Sequence, residues 1–156
     1  MSTSIHLFLV WFSYKKICYN ILDKGGYEMK EIKLHEILQL EQTVTEEMLA
    51  CRVGSGSVSV YATPMMIAFM EKVAATCLQP FLDEGYTSVG TMIQTTHTAA
   101  TPIGMKVYVK AEITAVDRKK VTFEITAHDE IDCIGKAIHE RFIVHKETFE
   151  NKANNK

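Results

Sequence analysis

The sequence predicts an α+β fold in which one curved antiparallel sheet wraps around a single long central helix. Three observations predict it. Residues 64–79 (PMMIAFMEKVAATCLQ) form a helical run with only two charges, Glu71 and Lys72, and a helix that is apolar almost all round is a buried one. Residues 105–127 hold two runs of apolar–polar alternation joined by a short polar link, the pattern of half-buried strands. Strand signals lie on both sides of the helix, one before it and four after it. A helix apolar on nearly every side must be covered by that sheet and then by something else.

Each element has its own justification. Leu38–Thr45 reads as the first strand, and 51–58 (CRVGSGSV) as a Gly/Ser loop. The helix begins with Thr63 as N-cap and Pro64 at the first helical position. Pro80 and Gly85 stop it. Residues 87–98 (TSVGTMIQTTHT) are rich in β-branched side chains and read as a strand, ended by Thr101-Pro102 and Gly104. In the next strand Met105, Val107, Val109, Ala111, Ile113 and Ala115 face one way, and Lys106, Tyr108, Lys110, Glu112 and Thr114 the other. Val121, Phe123, Ile125 and Ala127 repeat the pattern, and the link Asp117-Arg118-Lys119 makes the two strands a hairpin. Asp129–Asp132 reads as a turn, and 134–146 as the last strand. The result is a hot-dog fold. Its exposed sheet edge and apolar surface predict a homodimer or a dimer of dimers.

The 156 residues suffice for one domain with a real core. A hydrophobic share of 47% and a net charge of −2 are those of an ordinary globular protein. Near-neutral charge with scattered lysines and arginines argues against nucleic acid as a partner. Cys18, Cys51, Cys77 and Cys133 form no CxxC pair and no zinc spacing, and the six histidines form no HExxH signature. No metal is expected, and reduced thiols suit a cytoplasmic protein.

Residues 5–12 (IHLFLVWF) are too short to span a bilayer, and the flanks of a secretory signal are missing. No membrane is expected, although a membrane-surface or partner-binding segment is an alternative. Lys24-Gly25-Gly26 can be encoded by AGGAGG, a bacterial ribosome-binding sequence, and Met29 follows at a short spacing. The hypothesis is that 1–28 is a misassigned or disordered extension, 29–150 the hot-dog domain and 151–156 a polar tail. A peptide covering Phe8–Lys15 in the native protein would overturn it.

Glu71 is the first candidate for chemistry. Lys72 can snorkel its ammonium to water, but a shorter glutamate in an apolar helix cannot easily follow. Burying a carboxylate is costly unless it is paired, and desolvation raises its pKa towards that of a useful nucleophile or base. The alternative is a buried ion pair. Thr63 is a second candidate, with a plain N-cap as its alternative, and His97 a third, with a structural histidine as its alternative. His128, His139, His145 and the His139-Glu140-Arg141 run read as a polar strand face, with Arg141 a partial exception.

Several blocks carry a resemblance: Ala62, Thr63, Met66 and Glu71 (AT-x-x-M, with Glu eight residues after the Thr); Ser88, Gly90 and Thr91 (S-x-G-T); Thr96–Gly104 (THTAATP-x-G); Thr126–Asp129 (TAHD); and Ile134–Arg141 (I-G-x-x-x-HER). Together they make residues 62–152 resemble the fluoroacetyl-CoA thioesterase family of hot-dog proteins. The resemblance implies hydrolysis of a small or modest acyl-CoA to free acid and CoA by a catalytic set falling on Thr63, Glu71 and His97. It places a backbone donor for the thioester carbonyl on Gly90 and a polar residue near the substrate on Arg141. It implies no cofactor, since coenzyme A is part of the substrate. The family's Phe- and Pro-rich lid is replaced here by Cys51–Tyr61 (CRVGSGSVSVY), so thioesterase chemistry is expected without selectivity for fluorine. Thr63 and Glu71 stand about 12 Å apart along one helix, so they act at different points or meet across a dimer. The competing readings are a hot-dog hydratase or dehydratase, and a non-catalytic acyl-CoA-binding module.

Overall fold

The computed structural model describes residues 30–156. The expected extension at 1–28, the start at Met29 and Cys18 lie outside the described residues. The chain forms β1 (Ile37–Thr43), α1 (Ala50–Val53), α2 (Thr63–Leu78), β2 (Tyr86–His97), β3 (Lys106–Asp117), β4 (Lys120–Asp129), β5 (Cys133–His145) and α3 (Lys146–Asn154). The strands make one antiparallel sheet in the order β1-β3-β4-β5-β2. The strands on either side of α2 in sequence are therefore the two edges of the sheet. α2 joins those edges across one face and packs against β1, β2, β3 and β4. This is the hot-dog arrangement.

The buried residues of α2 are Met66, Phe69, Met70, Val73, Ala74, Cys77 and Leu78, a stripe at three- and four-residue spacing. Pro64, Ala68, Lys72 and Thr76 form the opposite, exposed stripe. Glu71 lies between the two and is half-buried, not sunk in the core as the sequence suggested. The physical reason is that a sheet covers one side of a helix, and among the described residues nothing covers the other. The start of α2 also needs correction. Ala62 is the N-cap and Thr63 the first helical residue, and no side chain caps the helix.

The expected alternation holds along β4, where Val121, Phe123, Ile125 and Ala127 are buried. In β3 it breaks at a register shift between Ile113 and Ala115. This bulge turns Ala115 out and puts Val116 in the core. The β3–β4 turn is tight, with Arg118 in the left-handed region at φ 54°. β5 departs most from the sequence reading. Ala137, His139, Arg141 and Ile143 face the core, while Lys136, Ile138 and Phe142 face out. His139 is fully buried, so the His139-Glu140-Arg141 run is not a polar strand face. α3 runs across the expected boundary at 150/151, and the His145 side chain accepts a hydrogen bond from Thr148 N–H at its start.

Residues 51–58, expected to be a Gly/Ser loop, begin within α1, and the segment 49–61 closes on itself. Leu49 bridges Tyr61, Ala50 N–H donates to the Val60 carbonyl, Cys51 N–H to that of Val58, and Ala62 N–H to that of Met48. The result is a compact flap directly before α2.

Candidate active site

Two groups of polar side chains lie along α2. The first is at its N-terminus. Thr63 Oγ1 lies 2.8 Å from Nδ1 of His97, the last residue of β2. The hydroxyl that sequence reasoning gave to capping is thus turned to a histidine. Tyr61 meets the His97 ring edge-on, with centroids 6.5 Å apart and planes at 77°. Gln42 Nε2 donates to the Tyr61 hydroxyl oxygen at 2.7 Å. Burial pushes the Tyr61 phenol up to about 12, against the opposing effect of that bond. Burial also pushes the His97 pKa below its ordinary value, against the pull of the Ala99 backbone, so the neutral imidazole is favoured. His97 Nε2 is buried and meets no hydrogen-bond partner among the described residues. A cavity of about 330 Å³ opens here, with Val58, Val60, Tyr61, Thr63, His97 and Ala99 among its walls. The flap supplies one side of it through Ala50, Ser55, Gly56, Val58, Val60 and Tyr61, with no phenylalanine.

The second group lies two turns along the helix. A Cβ on Gly90 would stand 3.1 Å from Glu71 Oε1 and 3.1 Å from His139 Cε1, so the missing side chain lets both close on β2. Gly90 borders a register shift between Gly90 and Met92, and such bulges re-aim backbone groups beside functional sites. Beneath them Arg141 is buried. Its Nε donates to Ser88 Oγ at 2.9 Å and its Nη2 to the Ser88 carbonyl at 2.7 Å. Its Nη1 reaches the Glu71 carbonyl at 3.5 Å and His139 Nε2 at 3.2 Å. Since a guanidinium only donates, His139 Nε2 accepts, and Nδ1–H must donate to the Met92 carbonyl at 2.8 Å. His139 is thus a neutral imidazole of fixed tautomer. Burial first, and the Arg141 charge after it, lower its pKa, with the Met92 bond and Glu71 opposing.

Of the expected site residues, Thr63 is brought to His97, and Glu71 to Gly90 and Arg141. Thr63 and Glu71 do not touch. Arg141, expected beside substrate, has its donors turned to Ser88, His139 and Glu71. Sequence reasoning missed His139 and Ser88. The signal was present, because 137, 139, 141 and 143 alternate with 136, 138, 140 and 142, and period two puts His139 and Arg141 on the face of Ala137 and Ile143. Among the described residues no three His, Cys, Asp or Glu side chains are placed to hold a metal ion. No helix among them is long and apolar enough to cross a membrane.

Comparison with known proteins gives a consistent result. The sequence profile of the family described as FlK, fluoroacetyl-CoA-specific thioesterase, matches residues 44–147. The fluoroacetyl-CoA thioesterase of Streptantibioticus cattleyicolor is 41% identical over 97 residues, which are 62% of this chain and 70% of that one. A solved structure of the fluoroacetyl-CoA thioesterase FlK superposes with a TM-score of 0.77 at 32% identity, covering 80% of this chain and 97% of that one. A Thermus thermophilus hypothetical protein, a thioesterase superfamily member, superposes with a TM-score of 0.76 at 30% identity, covering 81% and 94%.

Proposed function

The chain belongs to the fluoroacetyl-CoA-specific thioesterase family, and on that premise we propose that it hydrolyses a small or modest acyl-CoA to free acid and CoA with Thr63, Glu71 and His97. The observation that carries this reading is the 2.8 Å contact of Thr63 Oγ1 with His97 Nδ1 beside a cavity. It leaves Nε2 as the ring atom without a hydrogen-bond partner among the described residues. An unsatisfied buried polar atom is costly and calls for an explanation, of which a catalytic role is one.

Glu71 either attacks the thioester carbon, forming an anhydride that water then opens, or takes a proton from the water that attacks. On both routes the C–S bond breaks and CoA leaves as the thiolate. The proton that the attacking water gives up, taken by Glu71 or by neutral His97, passes to the thiolate sulfur, and the acid carries the water oxygen. The Gly90 backbone N–H, beside the bulge, is suited to hold the developing oxyanion. Arg141 fixes the strand and helix that carry these groups.

The reading includes a homodimer. β2 is an edge strand with Met92, Gln94 and Thr96 exposed, and α2 shows an open stripe alongside. Antiparallel pairing of β2 with its copy, centred between Ile93 and Gln94, would set His97 of one chain against Gly90 of the other. The same two-fold would set Thr63 against Glu71. The two half-sites of one chain would then complete two shared sites.

Free-thiol release from a panel of acyl-CoAs, acetyl to long-chain and aryl with fluoroacetyl included, tests the reading. Release that vanishes in Glu71→Gln is expected. No release with any ester from the folded protein would overturn hydrolysis and leave a binding module.

A further inference from the structure

We propose that Asp129 is a positioning residue for the Thr63–His97 pair, acting through Thr101. The inference rests on the reading of Thr63 and His97 as working groups of the site.

Asp129 ends β4 and is a buried carboxylate, 8% exposed. Its Oδ1 accepts from the backbone N–H of Ile131 at 2.9 Å and of Asp132 at 2.7 Å. Its Oδ2 accepts from the hydroxyl of Thr101 at 2.9 Å. Two backbone bonds fix the carboxylate, so the third is aimed at a set point. Thr101 is fully buried and stands four residues after His97, at the end of a connection that lines the cavity. Its carbonyl accepts the N–H of Tyr61 at 2.8 Å, two residues before Thr63. One residue therefore ties down both chain segments that meet at the Thr63–His97 contact, and Asp129 holds that residue.

A surface turn needs no buried carboxylate, because backbone groups near water are satisfied by water. The cost of burying Asp129 is explained if its task lies inward, on Thr101. Displacements of about 1 Å at reacting groups cost on the order of a hundredfold in rate, so a strut of this kind has leverage.

The test uses the full chain with Thr101→Val, Thr101→Ser and Asp129→Asn. Valine keeps the shape of threonine and leaves Asp129 its two backbone donors, so folding should survive. Three quantities are read: the imidazole ¹⁵N and ¹H resonances of His97, kcat and KM for thiol release, and Tm. In Thr101→Val the His97 resonances should move and kcat should fall about tenfold or more with KM within about twofold. Thr101→Ser should restore both. Asp129→Asn should move the same readouts in the same direction, and it decides the matter if Thr101→Val fails to fold. Unchanged His97 resonances with only a lower Tm would overturn the proposal, as would a serine variant impaired like the valine one. If the wild type releases no thiol, the hydrolase reading fails while the His97 resonances still decide this one.

Discussion

Glu71 Oε1 closes on β2 at Gly90, in space that a side chain at position 90 would crowd. A methyl there would stand 3.1 Å from Oε1 and from His139 Cε1, closer than ordinary contact. Gly90 has no positive φ to forbid alanine. Gly90→Ala should therefore keep the fold, displace the carboxylate and lower kcat by about tenfold or more. Gly135 is the contrast. A Cβ there would lie 2.6 Å from the Thr96 carbonyl oxygen and 2.9 Å from Met66 Sδ. The backbone oxygen cannot swing away, so Gly135→Ala should cost about 1–3 kcal/mol or more in stability. Thermal melts and thiol release on both variants check the pair. A Gly90→Ala enzyme with full turnover would show that Glu71 need not approach β2.

Glu71→Gln removes a charge at nearly constant shape. The Arg141 contact is to the Glu71 carbonyl, which the substitution keeps. Turnover should fall below detection while Tm changes little. Retained wild-type turnover would remove Glu71 from the mechanism.

Sharing of sites across a dimer can be tested by complementation. Glu71→Gln and His97→Ala chains are each expected to be inactive alone. Mixed and refolded together, they form heterodimers in which one chain still supplies Glu71 and the other His97. Up to about one site in two per heterodimer would then be whole, and activity should reappear. No recovery in verified heterodimers would confine each site to a single chain.

The flap sets the room beside Thr63. Val60 lines the cavity, whereas Ser57, which also lies in the flap, is not on its wall. Val60→Phe should narrow the acyl range towards the shortest esters. Ser57→Ala should leave the range alone. Measurements of kcat/KM across the acyl panel check this, and a Val60→Phe enzyme with an unchanged range would show that the acyl group lies elsewhere.

The hot-dog architecture was legible because its signals are local: two alternating strands, a tight hairpin and a helix opened by Pro64. The order of the sheet was not, since which strand pairs with β5 depends on contacts far apart in sequence. Thr63, Glu71 and His97 could be named from their motif, but their grouping could not. The Thr63 hydroxyl had an equally good local task at the helix start, and only the approach of β2 turns it to His97. The bulges at Thr91 and Thr114 were invisible because each shifts the alternation by one residue without changing composition. His139 and Arg141 were legible in principle, but their charge outweighed their phase. Asp129 and Thr101 stand in separate sequence blocks that only the fold joins.

Acid should weaken the fold through its suppressed histidines before it reaches its carboxylates. His97 and His139 both titrate below their ordinary value, chiefly because burial disfavours the charged ring. In the unfolded chain each titrates near the ordinary imidazole value of about 6.5. Above that pH both states are neutral, and the contribution to stability is fully present. As pH falls below about 6.5, the unfolded chain takes up protons that the fold refuses, so stability declines until the folded-state values are passed. Asp129 acts in a lower window. Desolvation would raise its pKa, but the Asp132, Ile131 and Thr101 bonds outweigh it and hold the carboxyl low. Its contribution persists above about 3.9 and is lost only in stronger acid. Tm should thus be flat above about pH 7 and fall as the pH drops below about 6.5. His139→Gln should make that fall shallower. The same depressed value keeps His97 neutral at lower pH, so kcat/KM should rise with an inflection below about 6.5. A wild-type Tm equal at pH 7.5 and 5.5 would show that neither histidine is suppressed in the fold.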